Sequence, residues 1–304
     1  MAEAANQSIK KSGGRFGESC IVSWLGVCAA VSVITTAAII GLLLKESYVF
    51  FETVSPLEFF FGTSWVPILQ PSSYGVLPLL WGTLQITIGA AIVAIPLGLA
   101  CAIYLSEYAS PRMRSYVKPA LELLAGIPTV VYGYFALTFV TPILRSIFPE
   151  VQVFNALSAA IVVGIMILPM IATLSDNALR AVPDSLRQGA YALGATSYEV
   201  TTKVVVPAGL SGVMASFLLA VSRAIGETMA VTIAAGQTPN LTLSMFESVQ
   251  TMTAYIVQVS LGDVQHGSLE YRTIFAAGIT LFVFTFLLNT LSYRIRKKYQ
   301  EKYE

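Results

Sequence analysis

Residues 220–231 read AVSRAIGETMAV, with one arginine and one glutamate four positions apart in a run of mostly small and apolar residues. On a helix that spacing places Arg223 and Glu227 on one face. An ionised group at the centre of a membrane helix costs at least about 2.5 to 3.5 kcal/mol on insertion scales, so it turns to a bundle interior, takes a partner and marks a pathway. Two chemistries fit the pair. It is an internal salt bridge that holds the helix, or Arg223 offers a planar fork of donors to a tetrahedral oxyanion while Glu227 offsets part of its field.

The run sits in a chain built for lipid. Of its 304 residues, 55% are hydrophobic and 12% charged, against about 25% charged in soluble domains. Apolar stretches of roughly 20 residues or more lie near 20–44, 76–104, 119–144, 154–174, 209–235 and 273–293. They predict an all-α polytopic membrane protein with six transmembrane helices. A cytoplasmic tail is expected over 1–19, one helical domain over 20–293 and a basic cytoplasmic tail over 294–304. Lys45, Arg145 and Arg272 fall on one side of the spans and Arg223 inside one, whereas the remaining fourteen of the 18 Lys and Arg fall on the other side. Cytoplasmic loops retain positive charge, so both termini are expected in the cytoplasm. The first apolar run, about 25 residues long, exceeds the 7 to 15 residue core of a signal peptide and reads as a retained span.

A second interruption lies in the third span. In LAGIPTVVYG, residues 124–133, Gly126 and Pro128 break helical hydrogen bonding. Broken helices at membrane depth survive where freed backbone groups line a cavity or are covered by protein. The break therefore either improves packing or turns Thr129 and neighbouring amides towards an anion. Glu122 is expected to pair with a basic residue near the cytoplasmic end of its span. Cys20, Cys28 and Cys101 lack CxxC spacing and His266 lacks ligand-like neighbours, so packing thiols and no metal site are expected. The outward loops 45–74 and 236–272 suit the outer membrane surface or a docking partner.

The longest cytoplasmic connection, 175–208, carries a short helix. Pro183 suits its first turn, Asp184 its N-terminus and Gly194 the residue past its end. Between them Leu186, Ala190 and Leu193 repeat at i, i+4 and i+7 and form a small apolar face that a soluble partner could grip.

The spacing Gln188-Gly189-Ala190, then Gly194, then Val204, Val206 and Pro207 resembles the EAA loop of ABC-importer permeases. Gln188 and Gly189 depart from the common Glu and Ala, while the register to Pro207 is intact. ELLAGIPTVVYG (122–133), SRAIGETMAV (222–231) and YGVLPLLWGTL (74–84) are similar to the phosphate-specific transport permeases, and GETMAV resembles the PstC-type subunit more than the PstA-type. The resemblance implies a type I importer permease of MetI-like architecture in the bacterial cytoplasmic (inner) membrane. It implies as partners a homologous PstA-type permease, two PstB-type ATPase subunits and an external phosphate-binding protein, with phosphate as cargo and no nucleic acid. Leu186, Gln188, Gly189, Ala190, Leu193, Gly194 and Pro207 would then belong to the ATPase-coupling loop, and Arg223, Glu227, Thr129 and Pro128 to the substrate pathway. Glu227 would accept the proton that phosphate retains near neutral pH and sulfate lacks.

No Gly-Lys dipeptide occurs, so the GxxxxGK[ST] phosphate loop is absent and ATP and Mg are expected on the partner ATPase. No cofactor is expected on this chain. Driving an anion inward against 100 mV costs about 2.3 kcal/mol per charge, which suits an ATP-driven machine. Sulfate or molybdate is the alternative cargo. An ion-coupled secondary transporter would be expected to carry inverted repeats, which are not apparent. Without HExxH, a carboxylate pair in a span or a serine near a histidine, the chain is expected to be a transport subunit rather than an enzyme.

Overall fold

The computed structural model describes residues 15–68 and 71–299. In chain order its helices are α1 (Arg15–Thr53), α2 (Pro56–Phe61), α3 (Leu77–Ile103), α4 (Pro111–Gly126), α5 (Thr129–Phe135), α6 (Thr141–Ile147), α7 (Ala156–Arg180), α8 (Asp184–Ala192), α9 (Ser197–Val200), α10 (Val206–Ala208), α11 (Leu210–Ile225), α12 (Met229–Ala234), α13 (Met252–Leu261) and α14 (Leu269–Tyr299). Wider π-turns interrupt the helical path at Tyr104–Tyr108, Ala136–Val140 and Thr201–Val205. Between α2 and α3, β1 (Trp65–Val66) pairs antiparallel with β2 (Ser73–Tyr74), Trp65 opposite Tyr74.

Among the described residues, five helical stretches are long and apolar enough to cross a membrane: Gly17–Thr53, Leu77–Tyr108, Thr129–Ile147, Ala156–Arg180 and Leu269–Leu291. A helix pair, Ser197–Ala208 and Leu210–Ile225, bends by 68° at its break and makes a sixth crossing when counted as one span. Two expected spans are corrected. The third does not run through 119–144: α4 stops at Gly126, Ile127 and Pro128 are extended with ψ of 130° and 138°, and the apolar crossing starts at Thr129. Proline has no amide to give and disfavours helix at the residue before it, so the break falls there. The fifth, expected over 209–235, is broken after Ile225 and resumes only at Met229.

The core forms where α3 and α7 lie against each other. Ile86, Ala90 and Ala94 meet Ala159, Val163, Ile167 and Ile171, and α5, α11 and α12 close over them. Small residues at such a seam let helix backbones approach, which is how helices gain contact where lipid offers no hydrophobic drive. A second, aromatic cluster joins the end of α1 to α2, α13 and α14, with Trp65 edge-on to Tyr255 at 5.0 Å. Along most of its length α1 is exposed and apolar.

The loop 236–272 does not stay at the surface as expected. Residues 249–255 are buried in the bundle against α3. Non-helical backbone in a membrane must find partners inside the protein, and α3 supplies them. Trp81 Nε1 donates to the Thr242 carbonyl (2.6 Å), Gln85 Nε2 to the Ser244 carbonyl (3.1 Å), and the Met252 amide donates to Thr83 Oγ1 (3.1 Å).

Candidate functional site

Arg223 lies in the last turn of α11, where the helix dipole favours a cation. The helix ends two residues later: Gly226 caps it, and the Glu227 amide reaches back only to the Ala224 carbonyl at 3.2 Å. Glu227 thus sits in the gap between α11 and α12. The two residues do not share a helix face, and among the described residues no ion pair joins them. The i, i+4 expectation fails because it needs an unbroken helix.

Their surroundings differ. Arg223 is exposed in the isolated chain. Glu227 is only 7% exposed. Its Oε1 accepts the Ala230 amide at 3.3 Å and so caps the first turn of α12, while its carbonyl accepts Thr253 Oγ1 at 2.8 Å. Among the described residues Oε2 has no hydrogen-bond partner. Thr253 Oγ1 is also 3.1 Å from Thr251 Oγ1, and Ser222 Oγ donates to Asn289 Oδ1 at 2.7 Å. Hydroxyls and one carboxylate therefore gather where the fifth crossing breaks.

The other break comes close by way of its second half. Pro128 is exposed and caps α5, and Thr129, half-buried, opens that helix. Tyr132 spans the gap by donating its hydroxyl to the Leu124 carbonyl at 2.7 Å. Then α5 packs on α12 so closely that a Cβ on Gly133 would lie 3.1 Å from the Ala230 backbone. Beside the Pro128 break runs a groove of about 600 Å³ lined by Pro119, Glu122, Leu123, Gly126, Ile127 and Pro128. Glu122 stands exposed in it without an ion pair among the described residues, contrary to expectation. The acid that pairs with α4 is Asp176 of α7, fully buried, at 2.6 Å from Lys118 Nζ.

In the 175–208 connection, α8 begins at Asp184 with Pro183 as its cap rather than in its first turn. Gly194 follows it with φ +85°, a conformation that favours glycine. The apolar face divides. Leu186 and Leu193 are exposed, whereas Ala190 turns inward onto the cluster containing Leu179, Val200 and Val205. Gln188 and Gly189 are exposed, and Pro207 lies in α10 just before the bend at Gly209. A capping box of Thr196 and Glu199 starts α9.

Thr253, Tyr132 and Asp176 escaped the sequence reading. Thr253 and Tyr132 act through contacts 26 and 8 positions away, for which no local pattern exists. Asp176 did leave a signal, an acid two positions past the end of the fourth apolar stretch. Among the described residues no group of three His, Cys, Asp or Glu side chains could hold a metal ion.

Among the described residues, five apolar crossings, a bent pair that makes a sixth when counted as one span, and a polar cluster where two broken helices meet define a polytopic membrane protein. Residues 94–301 match the family described as binding-protein-dependent transport system inner membrane component, and the chain belongs to that family. It is 37% identical to the "Probable ABC transporter permease protein YqgH" of Bacillus subtilis, over 87% of this chain and 86% of that one. It is 34% identical to the phosphate transport system permease protein PstC of Mesorhizobium japonicum, over 79% of each. The fold is shared with a bacterial alginate ABC transporter (TM-score 0.63, 16% identity, 93% of this chain and 99% of that one) and with the inward-facing MetNI methionine ABC transporter (0.61, 16%, 77% and 100%).

Proposed function

We propose that this chain is one of two homologous permeases of an ATP-driven importer of inorganic phosphate, working with a PstA-type permease, two PstB-type ATPase subunits and an external phosphate-binding protein. Both termini face the cytoplasm of a bacterial inner membrane, and ATP and Mg are held by the ATPases. The observation that carries the reading is Arg223, a guanidinium at the end of a membrane helix, exposed and without an ion pair among the described residues of its own chain. Such a charge needs water, a substrate or a second subunit opposite it. An oxyanion path between two permeases supplies all three, and the relatives named phosphate permeases support phosphate as the oxyanion. Glu227, with one oxygen fixed and one unengaged, Thr129 and Pro128 are placed along the same path, and α8 is the element that docks on the ATPase.

The test is uptake by the whole complex in vesicles, with sulfate and molybdate as competitors. ATP-dependent phosphate uptake is expected, and Arg223→Gln should abolish it while the complex still assembles. Uptake preferring sulfate or molybdate would move the cargo to another oxyanion. Transport by this polypeptide alone without ATP would overturn the importer reading, and wild-type uptake by Arg223→Gln would remove Arg223 from the path.

A further inference from the structure

We propose that Arg187 is a positioning residue, a strut that makes α8 move as one body with the end of the second crossing; the inference rests on the reading above, in which α8 docks on an ATPase. The side chain is 15% exposed and its fork is fully engaged. Nη1 donates to the Val182 carbonyl (2.5 Å) and to Asp184 Oδ1 (3.0 Å), and Nη2 donates to the Leu179 carbonyl (2.9 Å) and to Glu107 Oε1 (3.3 Å). Asp184 is 84% exposed, so that contact is screened and contributes little. Glu107 is only 9% exposed and is held in turn by Ser106 Oγ at 2.7 Å. A charge-assisted bond shielded in this way fixes geometry in a manner that a surface pair does not.

The place where the strut lands gives it meaning. Glu107 belongs to the π-turn Tyr104–Tyr108 that ends the second crossing, and π-turns recur at functional sites because they disturb the regular helix. Two other elements grip the same turn. Arg114 of α4 donates to the carbonyls of Leu105 and Ser106, and Thr201 Oγ1, in another π-turn, gives its proton to the Ser197 carbonyl and lies 3.4 Å from the Tyr108 hydroxyl, from which it can accept. From here α4 leads into the break before Thr129, and the Thr201 segment leads through the Gly209 bend into α11 and Arg223. A displacement of α8 therefore reaches both broken crossings through one junction, and Arg187 is the polar link by which α8 enters it, beside the apolar contact of Ala190.

The experiment uses the assembled complex in vesicles loaded with ATP and supplied with phosphate-charged binding protein. It reads phosphate imported per ATP hydrolysed, a ratio that a merely structural role would not move. In Glu107→Gln and in Arg187→Lys, ATPase subunits should co-purify and hydrolysis continue. The ratio should fall about tenfold, the scale on which a charge-assisted hydrogen bond is felt. Glu107→Asp, which keeps the charge, should recover most of it. A wild-type ratio in both Glu107→Gln and Arg187→Lys would overturn the strut, as would loss of the assembled complex in both, which would make the pair a folding anchor. Failure of the wild-type chain to bring down any ATPase would instead overturn the docking reading, and the strut with it.

Discussion

Glu227 has one oxygen in the fold and one outside it. Oε1 accepts the Ala230 amide and Oε2 is unengaged among the described residues, so shape and charge are separable by substitution. Glu227→Gln keeps an acceptor for the Ala230 amide and should melt with the wild-type complex in detergent. Glu227→Ala loses the cap, which costs about 1 kcal/mol at a helix N-terminus, and should melt earlier. If the carboxylate also takes the proton that distinguishes phosphate from sulfate, the stable Gln variant is the one in which sulfate begins to compete with phosphate for uptake. Equal melting of the Ala and Gln variants would remove the cap, and unchanged sulfate competition in Gln would remove the substrate role. The sequence announced this residue by its charge within an apolar run. It did not announce the cap, because the i, i+4 rule assumes a helix that Gly226 ends.

Among the elements, α8 carries a cost with no internal reason. Gly189 lies in mid-helix and is exposed, and a Cβ there would meet nothing within 4 Å. Glycine in a helix interior costs about 1 kcal/mol relative to alanine, and under the proposed docking of α8 an ATPase that approaches closely would give that cost a reason. Gly189→Ala should make α8 firmer but loosen its hold on the ATPase, and Gly189→Leu should do so further. Gly189→Trp should prevent ATPase subunits from co-purifying while the pair of permeases still forms. Full ATPase recovery with Gly189→Trp would show that this face of α8 does not dock. The helix was legible because its ends obey local rules, an acidic start at Asp184 and a left-handed glycine at Gly194. Its inner face was not, since Ala190 and Arg187 take their direction from Val205 and Glu107, residues remote in sequence. The third span shows the same limit. Gly126 and Pro128 declared a break, yet apolarity alone could not tell that α4 stands outside the crossing.

At the scale of the whole molecule, the deepest departure from the sequence reading is the loop that turns back into the bundle. Hydropathy assigned 236–272 to the outside because no apolar run there reaches span length, but an irregular segment needs only partners, and α3 offers Trp81, Thr83 and Gln85 along one side. This segment delivers Thr253 to the Glu227 carbonyl, so whatever touches the loop is mechanically joined to the break beside Arg223. Gly82 makes the seating possible: a Cβ there would lie 2.4 Å from the Gln250 carbonyl oxygen, a backbone atom that cannot rotate away. Gly82→Ala should therefore lift the segment, at the roughly 1 to 3 kcal/mol typical of an overpacked core. The measurement is labelling of Thr251→Cys by a membrane-impermeant thiol reagent, in a chain whose Cys20, Cys28 and Cys101 have been replaced by alanine. With Gly82 present, the buried position should label slowly; with Gly82→Ala it should label faster and uptake should fall, because the Thr253 tether to the break is loosened. Equal labelling rates with and without the methyl group would mean that the loop is not seated on α3, and the link from outer loop to broken helix would be lost.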